Sequence, residues 1–216
     1  MNFIDFSNII IRSNDIDPDY IFMINYKDSY GEEKTFELLK KKLLIYNLHS
    51  ELLYTDKLIT PYEIKFGNER QKSKNNFIKW ETELSKIDFK KLYKFHRVDY
   101  LIFKENFKKI KGMGDWAAWK TADILDKVFG IKMIYDEMTF LYAYQFPLKG
   151  LLMINNRKED LSIYKNKNTY LEDYRNAQRI AKNIYQTKVW NPNNVLELET
   201  LLCKYHSFVH NHYVPN

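Results

Sequence analysis

The densest run of chemically capable side chains lies between Lys111 and Asp123. There Gly112-Met113-Gly114 leads into Asp115-Trp116-Ala117-Ala118-Trp119-Lys120-Thr121-Ala122-Asp123. A Gly-x-Gly turn that opens a helix leaves backbone N–H groups free at the positive end of the helix dipole, where a phosphate is stabilised. Asp115 is the expected N-cap and Gly130 the expected stop, which bounds a helix from about Trp116 to Phe129. On a helical wheel Ala118, Thr121, Ala122, Leu125, Val128 and Phe129 form the side expected to be buried. Trp116, Trp119, Lys120, Asp123 and Lys127 gather on the other side. That face suits phosphate contact and base stacking, while tryptophans at i, i+3 suit a core equally well.

Histidines offer a second chemistry. His206 and His210 stand at i, i+4, with Ser207, His212 and Tyr213 close by in sequence. Imidazoles at that spacing share a helix face and can meet an anionic ligand or a metal ion. No carboxylate accompanies them in that segment, so hydrogen bonding to an anion is the expected role and no metal is expected. The single cysteine, Cys203, excludes an internal disulfide, a cysteine zinc site and a four-cysteine iron–sulfur cluster within the chain. The sequence holds no P-loop, nucleophile elbow, H-E-x-x-H pair or dinucleotide fingerprint, and no cofactor is expected.

The elements that must position these groups read as helices. Six glycines and five prolines in 216 residues, with a dominant 3.6-residue period, predict an all-α protein forming a single compact helical domain over 1–216. Asp17 before Pro18 marks a capped helix start. A long helix is expected over Glu32–Leu53, with Phe36, Leu39, Leu43, Tyr46 and Leu53 on one stripe. The polar, basic run Ile64–Asn76 is the best loop candidate, and helices are expected near 77–86, 89–95 and 98–110. Ile131–Tyr144 reads as a short extended piece or another helix, Asn155–Asn168 as a loop, and Leu171–Gln186 as a helix. A last helix is expected from Asn191-Pro192, its buried stripe being Val195, Leu198, Leu201, Leu202 and Tyr205. A net charge of +6 permits a polyanionic partner. No apolar run approaches the roughly 20 residues of a membrane span, and the first residues lack a signal-peptide layout, so the cytoplasm is the expected compartment.

The run Gly112-Met113-Gly114, Lys120-Thr121-Ala122-Asp123, Phe129-Gly130 and Asp136 resembles the helix-hairpin-helix segment of base-excision DNA glycosylases. In that superfamily a Gly-x-Gly hairpin precedes a helix bearing a lysine nucleophile, and an aspartate follows. Lys120 and Asp136 hold the matching places, with the hairpin segment at about 98–130. Three separated segments resemble more closely the alpha-glutamyl/putrescinyl thymine pyrophosphorylases, also described as amino acid:DNA transferases. Asp15-Ile16-Asp17-Pro18-Asp19-Tyr20 is similar to their Asp-Leu-Asp-Pro-x-Tyr. Gly112 to Asp123 is similar to their Gly-x-Gly-x-Trp-x-Ala-aromatic-Lys-x-Ala-Asp, and Glu199-Thr200-Leu201-Leu202-Cys203-Lys204-Tyr205-His206-Ser207 to their C-terminal motif, which ends in a His-Tyr matched by His212-Tyr213. Gly67-Asn68-Glu69-Arg70 is similar to a Gly-Thr-Glu-Arg loop, while Phe208 and His206 stand where the pattern has histidine and lysine.

The resemblance implies a glycosylase-like helical fold and a bacteriophage enzyme of DNA base hypermodification. Its substrates would be double-stranded DNA carrying a pyrophosphorylated hydroxymethyl-pyrimidine and an amine or amino acid. Such a site must extract a base, for which Trp116 and Trp119 are candidates. It must neutralise departing pyrophosphate, for which Arg70, Lys120, Lys204 and His206 are candidates, and it must deprotonate the amine, for which Asp123, Asp136 or His212 would serve. Gly112 and Gly114 would grip phosphate, and Ser207 and Tyr213 would complete the C-terminal end. Two other readings fit the same residues: a base-excision glycosylase using Lys120, and a DNA-binding module without catalysis.

Overall fold

The computed structural model describes residues 1–13, 18–45, 82, 97–109, 114–187 and 190–215. Calls made above on Asp15, Asp17, Arg70, Gly112, the 64–76 loop, the 46–53 extension, and the 77–86 and 89–95 helices lie outside them, residue 82 apart. The described chain is helical apart from a short parallel strand pair, in agreement with the all-α expectation. It divides into two compact units, one of Met1–Ile16 with Tyr135–Asn216 and one of Asp17–Ile134.

In the unit Asp17–Ile134, α1 having preceded it at Phe3–Arg12, the elements are α2 (Pro18–Tyr30), α3 (Glu32–Ile45), β1 (Arg97–Asp99), α4 (Tyr100–Phe107), α5 (Asp115–Phe129) and β2 (Lys132–Ile134). Pro18 begins α2, as its preset φ favours. The expected helix over 98–110 starts later, because Arg97, Val98 and Asp99 pair in parallel with Lys132, Met133 and Ile134. Asp99 then caps α4 by accepting the Ile102 N–H at 3.0 Å. Around α5 pack α2, α3, α4 and β2. Gly130, at φ 72°, ends α5 in the left-handed conformation; its N–H bonds Asp126 and that of Ile131 bonds Leu125. Lys27 finishes that end, donating to the Val128 carbonyl at 2.7 Å, and Phe36 stacks on Phe129 with centroids 3.9 Å apart.

The other unit holds α1, α6 (Gln145–Ile154), α7 (Lys167–Ala181) and α8 (Val195–Val209), with single 3-10 turns at Thr139–Tyr142 and Leu161–Lys165. So 131–144 resolves as a strand and a 3-10 turn, and the 155–168 stretch contains a turn of its own. Helix α6 lies where the sequence reading above expects no element; its Pro147 is in the first turn, where proline is tolerated. The last helix begins at Val195 because Asn194 accepts the Leu196 N–H at 3.1 Å. Its expected stripe is present: Leu198, Leu201 and Leu202 are fully buried with Phe6, Ile10, Leu151, Tyr170 and Tyr174. Each such leucine contributes about 1.5–3 kcal/mol by leaving water.

Helices α6 and α8 approach closely at Gly150. A Cβ built on Gly150 would stand 2.3 Å from the backbone oxygen of Leu202. That neighbour is main chain and cannot swing away. Gly150→Ala is therefore expected to lower the unfolding free energy by about 2–3 kcal/mol in urea denaturation. An unchanged midpoint would mean that the two helices do not meet this closely.

Candidate functional site

Helix α5 begins with Gly114 as N-cap, not Asp115. Asp115 is drawn off by α4, its carboxylate 3.0 Å from Lys104 Nζ and 2.7 Å from Lys108 Nζ. A larger correction concerns the polar face. Trp119 is 2 % exposed, Lys120 9 % and Asp123 2 %, so the side expected to look outward is buried too. The reason is that helices and β2 surround α5, which leaves it no solvent face along these turns. Trp119 packs edge-on to Tyr100 with centroids 4.9 Å apart, and Lys127 Nζ lies 3.5 Å from Asp123. Trp116 stays partly exposed at the open end of the helix, beside exposed Gly114.

In the other unit the chemistry gathers on α8. Lys204 donates to the Tyr213 hydroxyl at 3.3 Å and sits 4.7 Å over that ring. His206 and His210, one turn apart, both turn Nε2 toward Glu159, at 3.2 and 2.6 Å. Burial holds His206 below the usual imidazole range, against the pull of Glu159, so the ring is neutral at pH 7. Glu159 is held below the usual carboxylate range: partial burial raises it, and the hydrogen bonds of His210 and His206 outweigh that. Asn211, at φ 58°, turns the chain out of α8, and the His212 N–H reaches the Ser207 carbonyl at 2.8 Å. His212 is exposed, its ring 6.5 Å from that of His210. On the inner side of α8 the Tyr144 hydroxyl donates to Cys203 Sγ at 3.3 Å; burial, Glu199 and Cys203 push that phenol well up. Asp136 is exposed and accepts both the N–H and the hydroxyl of Thr139 at 2.7 Å, which fixes the following 3-10 turn.

A family model for amino acid:DNA transferases matches residues 63–213, well over half of the chain. The chain belongs to the amino acid:DNA transferase family. Comparison with curated proteins and with solved structures found no match. As a member of this family the transferase modifies DNA, with DNA and an amino acid as its substrates. No helix among the described residues is long and apolar enough to cross a membrane.

The span that matches the amino acid:DNA transferases contains α5 through α8, hence Gly114, Trp116, Trp119, Lys120, Asp123, Asp136, Lys204, His206, Ser207, His212 and Tyr213. Sequence reasoning missed Glu159. It stands 47 residues from His206, in a polar stretch with no signal beyond its composition. Also missed was the basic side of α7, where Arg175, Arg179 and Lys182 line a groove of about 570 Å³ with Gln178 and Asn193. Their i, i+4, i+7 spacing was the available signal.

Asp115 gives a pH-dependent test of the α4–α5 join. Partial burial raises its carboxyl, but hydrogen bonds and charges from Lys108 and Lys104 outweigh this and hold it below the ordinary value. A depressed carboxyl contributes stability above its unfolded value of about 3.9 and loses it as pH falls through the folded one. With its side chain 43 % exposed, the contribution is screened to about 0.5 kcal/mol. Asp115→Asn is expected to unfold more easily by that amount at about pH 7, the difference from the parent shrinking toward about pH 2 and in high salt. Urea titrations across pH read it, and a pH-independent difference would sink the assignment.

Proposed function

We propose that the transferase acts on 5-pyrophosphoryloxymethyl-uracil in double-stranded DNA, expelling pyrophosphate and joining an amino acid or amine to the exocyclic methylene. The amine nitrogen forms a bond to that carbon and loses a proton. The carbon–oxygen bond breaks, and its electron pair leaves with pyrophosphate. The observation that carries this reading is the family match over 63–213, which takes in both the α5 motif and the C-terminal motif on which the resemblance rests. The setting is bacteriophage DNA in the cytoplasm of the host, and α4 with α5 stands for the helix pair of a helix-hairpin-helix.

We divide the roles among the motif residues by residue type and, where described, by exposure. Trp116, partly exposed at the head of α5, is the residue for opening the base stack, with Gly114 gripping phosphate beside it and Gly112 sharing that role by its place in the motif. Trp119 stands behind it, buried on Tyr100. The candidates for offsetting the charge of departing pyrophosphate are Lys120, Lys204 and Arg70, while neutral His206 is a candidate for hydrogen bonding to it. The candidate proton acceptors are Asp123 in one unit and Asp136 and His212 in the other, where Ser207 and Tyr213 stand close to His212 in sequence. The groove on α7 supplies Arg175, Arg179 and Lys182 for the DNA backbone.

The deciding experiment is mass spectrometry of nucleosides from DNA bearing the pyrophosphorylated base, after incubation with the protein and a mixture of amino acids and polyamines. A nucleoside that has lost pyrophosphate and gained an amine is the expected product. An abasic site would move the chemistry to Lys120 and a glycosylase, and unchanged DNA with binding intact would leave only a DNA grip.

Asp136 separates a turn-holding role from a proton-accepting one. Asparagine caps about as well as aspartate, so Asp136→Asn should keep the Thr139 turn and the melting temperature. Loss of a base at that position lowers turnover by about 100-fold or more. Full turnover in the variant would leave Asp136 a structural residue only.

A further inference from the structure

Glu159, His206 and His210 form a cluster of which the proposed reaction uses His206 alone. One ligand atom from each, a carboxylate oxygen or an imidazole nitrogen, lies within 4.8 Å of the others. We infer that these three residues bind a divalent transition-metal ion, zinc above all. The inference concerns binding alone and does not depend on the transfer reaction.

Three features point to zinc rather than to magnesium or calcium. The donor set is two imidazoles and one carboxylate, which suits a borderline ion; hard cations seek oxygen alone. His206 is on the 15-residue helix α8 and His210 caps its C-terminal end one turn later, so their side of the site is built in, with ring centroids 4.5 Å apart. The carboxylate arrives from a different segment, so the site closes from two directions. Zinc holds nitrogen and oxygen at about 2.0–2.2 Å, which spaces tetrahedral ligand atoms by about 3.3 Å. The two imidazoles meet different oxygens of Glu159, at 3.2 Å (Oε2) and 2.6 Å (Oε1), and with one ligand atom from each residue within 4.8 Å of the others, a closure of at most about 1.5 Å reaches that spacing. His206 is buried while His210 and Glu159 are exposed, so a fourth position faces solvent and can take water or an anionic oxygen.

Two neighbours limit the affinity. Lys149 Nζ lies 3.9 Å from Glu159 Oε2 and repels a cation. Nδ1 of His206 is buried with no hydrogen-bond partner among the described residues, whereas metal-bound imidazoles usually give that N–H to an acceptor. A micromolar site is therefore expected rather than a permanently loaded one. Phe146, its ring 5.4 Å from that of His206, walls the inner side.

Titration of the full chain with zinc chloride, read by calorimetry and by competition with a chromophoric chelator, tests this without DNA or amine. One ion per chain is expected, with magnesium chloride giving no heat. His210→Ala, at an exposed position, should fold and lose zinc affinity by about 10-fold or more. Lys149→Met should tighten binding, which a mere hydrogen-bonded triad has no reason to do. Absence of zinc binding up to about 100 μM, well above the affinity of known protein zinc sites, overturns the inference. So does binding that His210→Ala leaves untouched. Because neither readout involves turnover, a failed transfer assay and a failed metal titration are distinct results.

Discussion

Helix α6 reaches α8 only because residue 150 carries no side chain. With the Leu202 backbone oxygen where a methyl group would go, the two helices meet main chain to main chain, closer than any pair of side-chain-bearing residues allows. Much of the α8 chemistry follows from that contact. It brings Phe146 and Lys149, on α6, alongside His206 on α8, and it sets Tyr144, just before α6, against Cys203. Helix α8 is in turn fixed from the far side by α1, where Phe6 meets Tyr205, Phe208 and Tyr213. A helix held on both sides can present His206, His210 and Lys204 at constant spacing.

The polar segment after α6 is held by a single buried carboxylate. Asp173 is 2 % exposed and takes Arg157 Nε at 2.6 Å and the Tyr164 hydroxyl at 3.1 Å. Asn155 adds bonds to the Leu151 and Asp173 carbonyls, and Asn156 reverses the chain at φ 54°. Asparagine tolerates that left-handed conformation better than most residues, as Asn211 does at the end of α8. Two asparagine turns thus end the two packed helices, and the segment after the first carries Glu159 back to the histidines beside the second. The burial of Asp173 is tolerable because its charge is met by a guanidinium and a hydroxyl.

What the sequence disclosed was local. Gly130 as a stop, Pro18 as a start and the leucines of the last helix depend on neighbours three or four residues away, and all stand as read. The family motifs were legible for the same reason, each being a short run. Burial of Lys120 and Asp123 was not legible, because a helical wheel shows which residues share a face and says nothing of how many faces the fold covers. Asp115 was taken for a cap on its residue type, while two lysines from the preceding helix competed for it. The pairing of Glu159 with His206 and His210 spans too much chain for any periodicity to record it.

The burial of Lys120 and Asp123 bears on why α5 carries them. Ionisable side chains in a packed interior add little to stability, and apolar residues of similar volume commonly do as well or better. The surrounding helix is otherwise built from the small and apolar residues a covered helix needs: Ala117, Ala118, Ala122, Ile124 and Leu125. Lysine and aspartate at 120 and 123 are therefore an exception that packing does not require. In the reaction proposed above, a lysine and a carboxylate shielded from water would act through stronger electrostatics than the same groups on a surface. Under that proposal, their position inside α5, one to two turns from Trp116 at the exposed head, would have the substrate enter from that end.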